Sequence, residues 1–181
     1  MAKGKRAELA VTIRKARLSD LDQFAANMQS VADEGRYVWT EEVTEREIEV
    51  YRRLFKDKGC LVLVAEVGTG KGKKVVGGVW MTRYGQTIKS QHVRVLGMLV
   101  IDGYREIGIG SKLMAAALEW ARKKPGVEKV TLGVFSNNRR AYNMYEKFGF
   151  KVEGVRKSHY YIDGKSEDEI DMALFVKPHA A

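Results

Sequence analysis

Apolar residues change their spacing several times along this chain, and each change marks an element. Val11 and Ile13 alternate with Thr12 and Arg14, a period of two that predicts a short strand. Ser19 followed by Asp22 resembles a capping box and predicts a helix over 20–32. Thr44 with Glu47 repeats that signal, and Ile48, Tyr51 and Leu54 give the helix behind it one apolar side. Between these helices, residues 33–42 hold Tyr37, Trp39 and several acids with no regular period. Residues 61–67 and 75–82 are apolar, β-rich runs, and 93–101 is a third.

A helix follows over 108–123, with Ile109, Leu113, Ala116, Ala117 and Trp120 on one side and Ser111, Lys112, Glu119 and Arg122 on the other. Pro125-Gly126 ends it. Residues 130–135 then read as a strand, and a right-handed crossover makes it parallel to 93–101. A short helix over 138–147 precedes strands over 150–162 and 169–176, which flank the turn Asp163-Gly164. With no internal repeat and no Pro- or Ser-rich linker, one α/β domain over 10–177 is expected, with a loose start over 1–9 and a tail over 178–181.

Two glycine-rich stretches invite a phosphate. Gly68-Thr69-Gly70-Lys71-Gly72-Lys73-Lys74 fails the P-loop spacing, which needs four residues between Gly and Gly-Lys and then Ser or Thr, so a hairpin turn is expected. Arg105-Glu106-Ile107-Gly108-Ile109-Gly110 sits between a predicted strand and a predicted helix. Residues without Cβ let main-chain N–H groups approach a ligand, and the helix start adds unpaired amides and the positive dipole end. Strand, glycine turn and helix N-terminus together suit phosphate.

Composition narrows the classes. The 181 residues are 45% hydrophobic and 30% charged, ordinary values for a globular protein long enough to bury a core. The net charge of +9 attracts anions, nucleic acid or a phosphorylated cofactor, or is simply a solvated basic surface. No reading motif or clustered Lys/Arg helix supports nucleic acid, so none is expected as a partner. The single Cys60 excludes an internal disulfide, fits a reducing compartment, and reads as a small buried hydrophobe rather than an acyl carrier. No stretch is long and apolar enough for a bilayer, and no signal-type segment follows the basic start, so no membrane partner and a cytoplasmic location are the expectation. No His/Cys/Asp cluster has metal-ligand spacing, so no metal is expected.

The element order, the R-E-I-G-I-G turn and the later run Asn138-Arg139-Arg140-Ala141-Tyr142-Asn143-Met144-Tyr145-Glu146-Lys147-Phe148-Gly149-Phe150 resemble the GNAT superfamily of acetyl-CoA-dependent N-acetyltransferases. Around 92–100 and 160–172 the likeness is to bacterial and archaeal small-amine or amino-acid N-acetyltransferases. The resemblance implies an α/β single-domain fold: a mixed, mostly antiparallel sheet, a splayed parallel central strand pair and helices on both faces. It implies acetyl-CoA as co-substrate and direct attack by a primary amine in a ternary complex. Dimers are common in such families, so a homodimer is one expectation.

The same resemblance assigns the pyrophosphate to Arg105, Glu106, Ile107, Gly108, Ile109, Gly110 and Ser111, and the pantetheine to the backbone of Met98, Leu99 and Val100. It places Asn138 near the cofactor and makes Tyr145 the general acid for the leaving thiolate, against the bland alternative of aromatic packing. Gly97 is either a bulge that breaks strand pairing or a packing glycine. Glu34, Tyr37 and Tyr160 are substrate-side candidates, with Glu41, Glu42 and His159 near them in sequence.

The base is harder to find. Positions where family members carry a glutamate hold Val95 and Gly133, and His92 is a weaker candidate than a structural histidine. Deprotonating a lysine at pH 7 costs about 4–5 kcal/mol, an α-amine only about 1–1.5 kcal/mol. An α-amine acceptor (amino acid, small amine or peptide N-terminus) is therefore expected, with water relaying the proton. Protein lysine acetylation and a non-catalytic acyl-CoA-binding module are the alternatives.

Overall fold

The computed structural model describes residues 9–85 and 87–178. Residues 1–8 and 179–181, which include most of the expected loose start and tail, lie outside the described residues. The strands are β1 (Val11–Lys15), β2 (Leu61–Val67), β3 (Lys74–Arg83), β4 (Val93–Val100), β5 (Lys129–Phe135), β6 (Lys151–Ile162) and β7 (Lys165–Phe175). The helices are α1 (Leu21–Ala32), α2 (Glu45–Lys56), α3 (Ile109–Lys123) and α4 (Arg139–Lys147). Among the described residues the sheet runs β1-β2-β3-β4-β5-β7-β6, antiparallel except for β4 and β5.

The alternation along β2 sorts two cores. Val62 and Val64 turn to one face and meet Phe24 of α1 with Leu54 and Phe55 of α2. Phe24 stands edge-on to Tyr51, Phe55 and Trp80 at 5.4, 5.3 and 5.7 Å, which ties both helices to β3. Leu61 and Ala65 turn to the other face, where Leu113, Met114, Ala117, Leu118 and Ala121 of α3 are sealed from water. The buried stripe of α3 is rotated from the expected one: Met114, Leu118 and Ala121 replace Ala116 and Trp120, which are only half-buried.

Helix entry differs at the two predicted caps. The Glu47 carboxylate accepts from the Thr44 N–H at 2.8 Å and from its hydroxyl at 3.1 Å, as the spacing predicts. Ser19 does not cap α1. Instead a short 3-10 turn, Leu18–Asp20, precedes the helix, and Asp20 accepts from the Arg17 N–H at 2.7 Å and from the Arg14 guanidinium. Arg14 also binds Glu66, so a paired cation won the acid that a local serine cap would have left free. The stretch over 68–73 is a hairpin connection between β2 and β3, as its spacing indicates.

The central feature is where pairing stops. β4 and β5 are parallel partners for three residue pairs, Val93–Lys129 to Val95–Thr131, and then part. Each keeps its outer neighbour: β4 stays paired with β3 up to Val100, and β5 with β7 up to Phe135. Gly97 makes no bulge, because the β3–β4 register runs through Trp80–Gly97 without a shift. A Cβ at Gly97 would collide with the Trp80 indole, so this glycine serves packing. The inner edges of residues 96–100 and 132–135 therefore face a gap with no strand paired across it.

Candidate active site

A cavity of about 620 Å³ fills that gap. Met98, Leu99 and Val100 form one wall and Gly133, Val134 and Phe135 the other. Tyr37 and Trp39, from the connection between α1 and α2, also line it. Asn138, Met144, Tyr145 and Phe148 of the α4 region close the rest.

At one end lie Arg105, Glu106, Gly108, Gly110 and Ser111. Gly108 caps α3 at φ +87°, a left-handed conformation that a Cβ would strain, and Glu106 is left-handed as well at φ +63°. Alternating handedness of this kind points successive amides inward, and the first amides of α3 have no partner within the helix. Ile107 and Ile109 do not line the cavity with their side chains. Ile109 is buried in the core and Ile107 lies at the surface, so each can offer only backbone.

Arg105 works as a clamp. Its Nε donates to the Val100 carbonyl at 2.7 Å, and its guanidinium grips both oxygens of Glu34 and lies 5.0 Å over the Tyr37 ring. The Glu34 carboxylate raises the guanidinium pKa. Thus Glu34, a substrate-side candidate, is held by Arg105 of the glycine turn and does not line the cavity. Tyr37 does line it; Tyr160 does not, but stands edge-on to Phe135 at 5.1 Å. Glu41 and Glu42 are exposed. His92 lies at the closed end of the β4–β5 pair, where its carbonyl accepts from the Glu128 and Lys129 amides, away from the cavity.

Asn138 caps α4, its Oδ1 accepting from the Ala141 N–H at 3.2 Å. Tyr145, two turns on, is buried beside Phe150, and burial pushes its hydroxyl up to about 12. It is a neutral phenol across the physiological range.

One neighbour was not singled out from sequence. A Cβ built on Gly133 would lie 2.5 Å from Oε1 of Glu169 and 3.1 Å from Cζ2 of Trp39. Glu169, on β7 opposite Phe135, is only 4% exposed, and its Oε2 accepts from Arg156 at 2.5 Å. The bare position at 133 was the only trace of this in the sequence, because β5–β7 pairing joins segments far apart in the chain. Among the described residues, no group of three or more His, Cys, Asp or Glu could hold a metal, and no helix is long and apolar enough to cross a membrane.

Known proteins bear on this geometry. The sequence profile of the acetyltransferase (GNAT) family matches residues 24–150. An N-alpha-acetyltransferase from Sulfurisphaera tokodaii is 30% identical over 155 residues, 84% of this chain and 87% of its own length. The L-amino acid N-acetyltransferase AaaT of Escherichia coli is 31% identical over 88 residues, 49% of this chain and 54% of its own. In fold, the chain matches yncA from Salmonella typhimurium, solved with its cofactor acetyl-CoA, at a TM-score of 0.84 and 21% identity, covering 95% of this chain and 97% of that one. A parted strand pair, a glycine turn at the start of α3 and the profile match over most of the chain agree: the chain belongs to the acetyltransferase (GNAT) family and is an acetyl-CoA-dependent N-acetyltransferase.

Proposed function

We propose that the acceptor is an α-amine, carried by a free amino acid, a small amine or a peptide N-terminus. The carrying observation is that neither parted strand presents a carboxylate to the gap: Gly133 lines it bare, and Val95 still pairs with Thr131 where the strands begin to part. An acceptor that loses its proton for about 1–1.5 kcal/mol suits such walls better than a lysine at about 4–5 kcal/mol. The α-amine chemistry in the names of the archaeal and Escherichia coli relatives supports the same choice.

In this proposal residues 10–177 are the working unit. The amides from Glu106 to Ser111 hold the pyrophosphate, and the open edge of Met98, Leu99 and Val100 holds the pantetheine. An amide of that edge polarises the thioester carbonyl. Tyr145 serves the sulfur. A phenol at about 12 cannot hand its proton outright to a thiolate whose acid lies near about 8.5. Its transfer is therefore coupled to the tetrahedral intermediate, whose nitrogen returns a proton as the sulfur takes one.

An acceptor panel tests the class: free L-amino acids, a peptide with a free N-terminus, and an N-blocked peptide with an internal lysine, each followed by CoA release. Turnover is expected on the first two. Preference for the blocked lysine peptide would reject the proposal.

A further inference from the structure

We propose that Glu169 is the proton acceptor for the attacking amine, delivered from β7 over the bare position of Gly133. The inference rests on the α-amine acceptor proposed above, which then stands on the chemistry in the names of the relatives, since Glu169 supplies the carboxylate that the parted strands lack. Gly133 lines the cavity, and Oε1 of Glu169 lies 2.5 Å from where its Cβ would be. Glu169 does not itself line the cavity, so the missing side chain sets its carboxylate directly behind the wall at Gly133. That carboxylate is half engaged. Oε2 takes Arg156 at 2.5 Å, with His159 Nε2 at 3.8 Å, while nothing among the described residues donates to Oε1. Oε1 is not sealed either, because Arg94 Nε is the one side-chain atom among them that is both buried and unpartnered.

The surroundings suit the task. Arg156 also pairs with Asp171 at 3.1 Å, so two carboxylates share one cation. Trp39, which lines the cavity, stands edge-on to Phe135 at 5.8 Å, and Tyr160, which does not line it, packs on the same ring at 5.1 Å. An ammonium entering there meets one free carboxylate oxygen. Glu169 takes the first proton of the ammonium. The neutral nitrogen attacks the acetyl carbon, the C–S bond breaks, and the second nitrogen proton reaches sulfur through Tyr145. The third stays on the amide, and Glu169 releases its proton to solvent, so the products are the acetamide, CoA thiol and one proton.

The test is a pH profile of kcat and KM for wild type and Glu169→Gln on a free amino acid, with CoA binding and thermal melting as controls for folding. Gln keeps an acceptor for Arg156 but cannot take a proton. At pH 7 kcat is expected to fall roughly 10²-fold. The deficit should shrink as pH rises past the acceptor's own pKa of about 8, where free amine is supplied by solution. Gly133→Ala, whose Cβ must displace Oε1, should show the same shrinking deficit and stands in if Glu169→Gln fails to fold. A kcat within twofold of wild type, or a loss equal at every pH, would overturn the role. Because wild type on the acceptor panel tests the α-amine independently, the two failures remain distinguishable.

Discussion

At the residue scale, Tyr145 shows how burial selects a chemical role. Water would leave a phenol near 10, but enclosure beside Phe150 pushes it up to about 12 and removes the anion from the neutral range. Such a group is a poor base and a steady hydrogen-bond donor, which suits a departing sulfur. Tyr145→Phe keeps the ring and deletes only the donor. The expected result is a kcat lower by roughly 10–100-fold with KM for acetyl-CoA changed less than threefold, read by steady-state CoA release. An unchanged kcat would transfer the role to another donor. Arg105 illustrates the opposite economy, since Glu34 and the Val100 carbonyl already hold its charge in place. It braces the turn against β4 and the α1–α2 connection.

At the element scale, the site exists because two strands stop pairing without losing their outer partners. β3 and β7 hold β4 and β5 in register while the gap between them opens beyond Val95 and Thr131. The start of α3 is fixed just as locally, by Gly108 at φ +87°. Gly108→Ala places a Cβ where left-handed backbone disfavours it, at a cost of about 1–2 kcal/mol. Relief of that strain turns the amides of the turn away from the cavity. Calorimetry should therefore show CoA binding at least tenfold weaker, with a lowered melting temperature. Unaltered CoA affinity would mean that the amides of this turn do not carry the pyrophosphate.

At the scale of the whole molecule, the buried phenols link folding to alkaline pH. The Tyr145 pKa is raised on folding, so its contribution is fully present below about 10 and is lost as pH climbs towards about 12. The loss over that window is roughly 2–3 kcal/mol. Tyr51, also pushed up to about 12 by burial, acts in the same direction but is partly exposed and contributes less. Urea midpoints should fall from pH 10 to 12 in wild type, and fall less steeply in Tyr145→Phe. Equal slopes would show that Tyr145 ionises as readily in the fold as in the open chain.

Local chemistry determined much of this protein from the amino-acid order alone. The alternation in β1, the Thr44–Glu47 cap and the glycine turn before α3 each depend on neighbours within a few residues, so their signals survive without a fold. The run from Asn138 to Phe150 carried the family for the same reason. Tertiary structure decided what depends on partners distant in the chain. Arg14 holds Asp20 in a 3-10 turn where the spacing predicts a helix start capped by Ser19, Trp80 turned Gly97 into a packing position, and Arg105 drew Glu34 out of the acceptor space. Only the pairing of β5 with β7 could set Glu169 against Gly133, because a side chain's surroundings across a sheet are fixed by strand register rather than by sequence spacing.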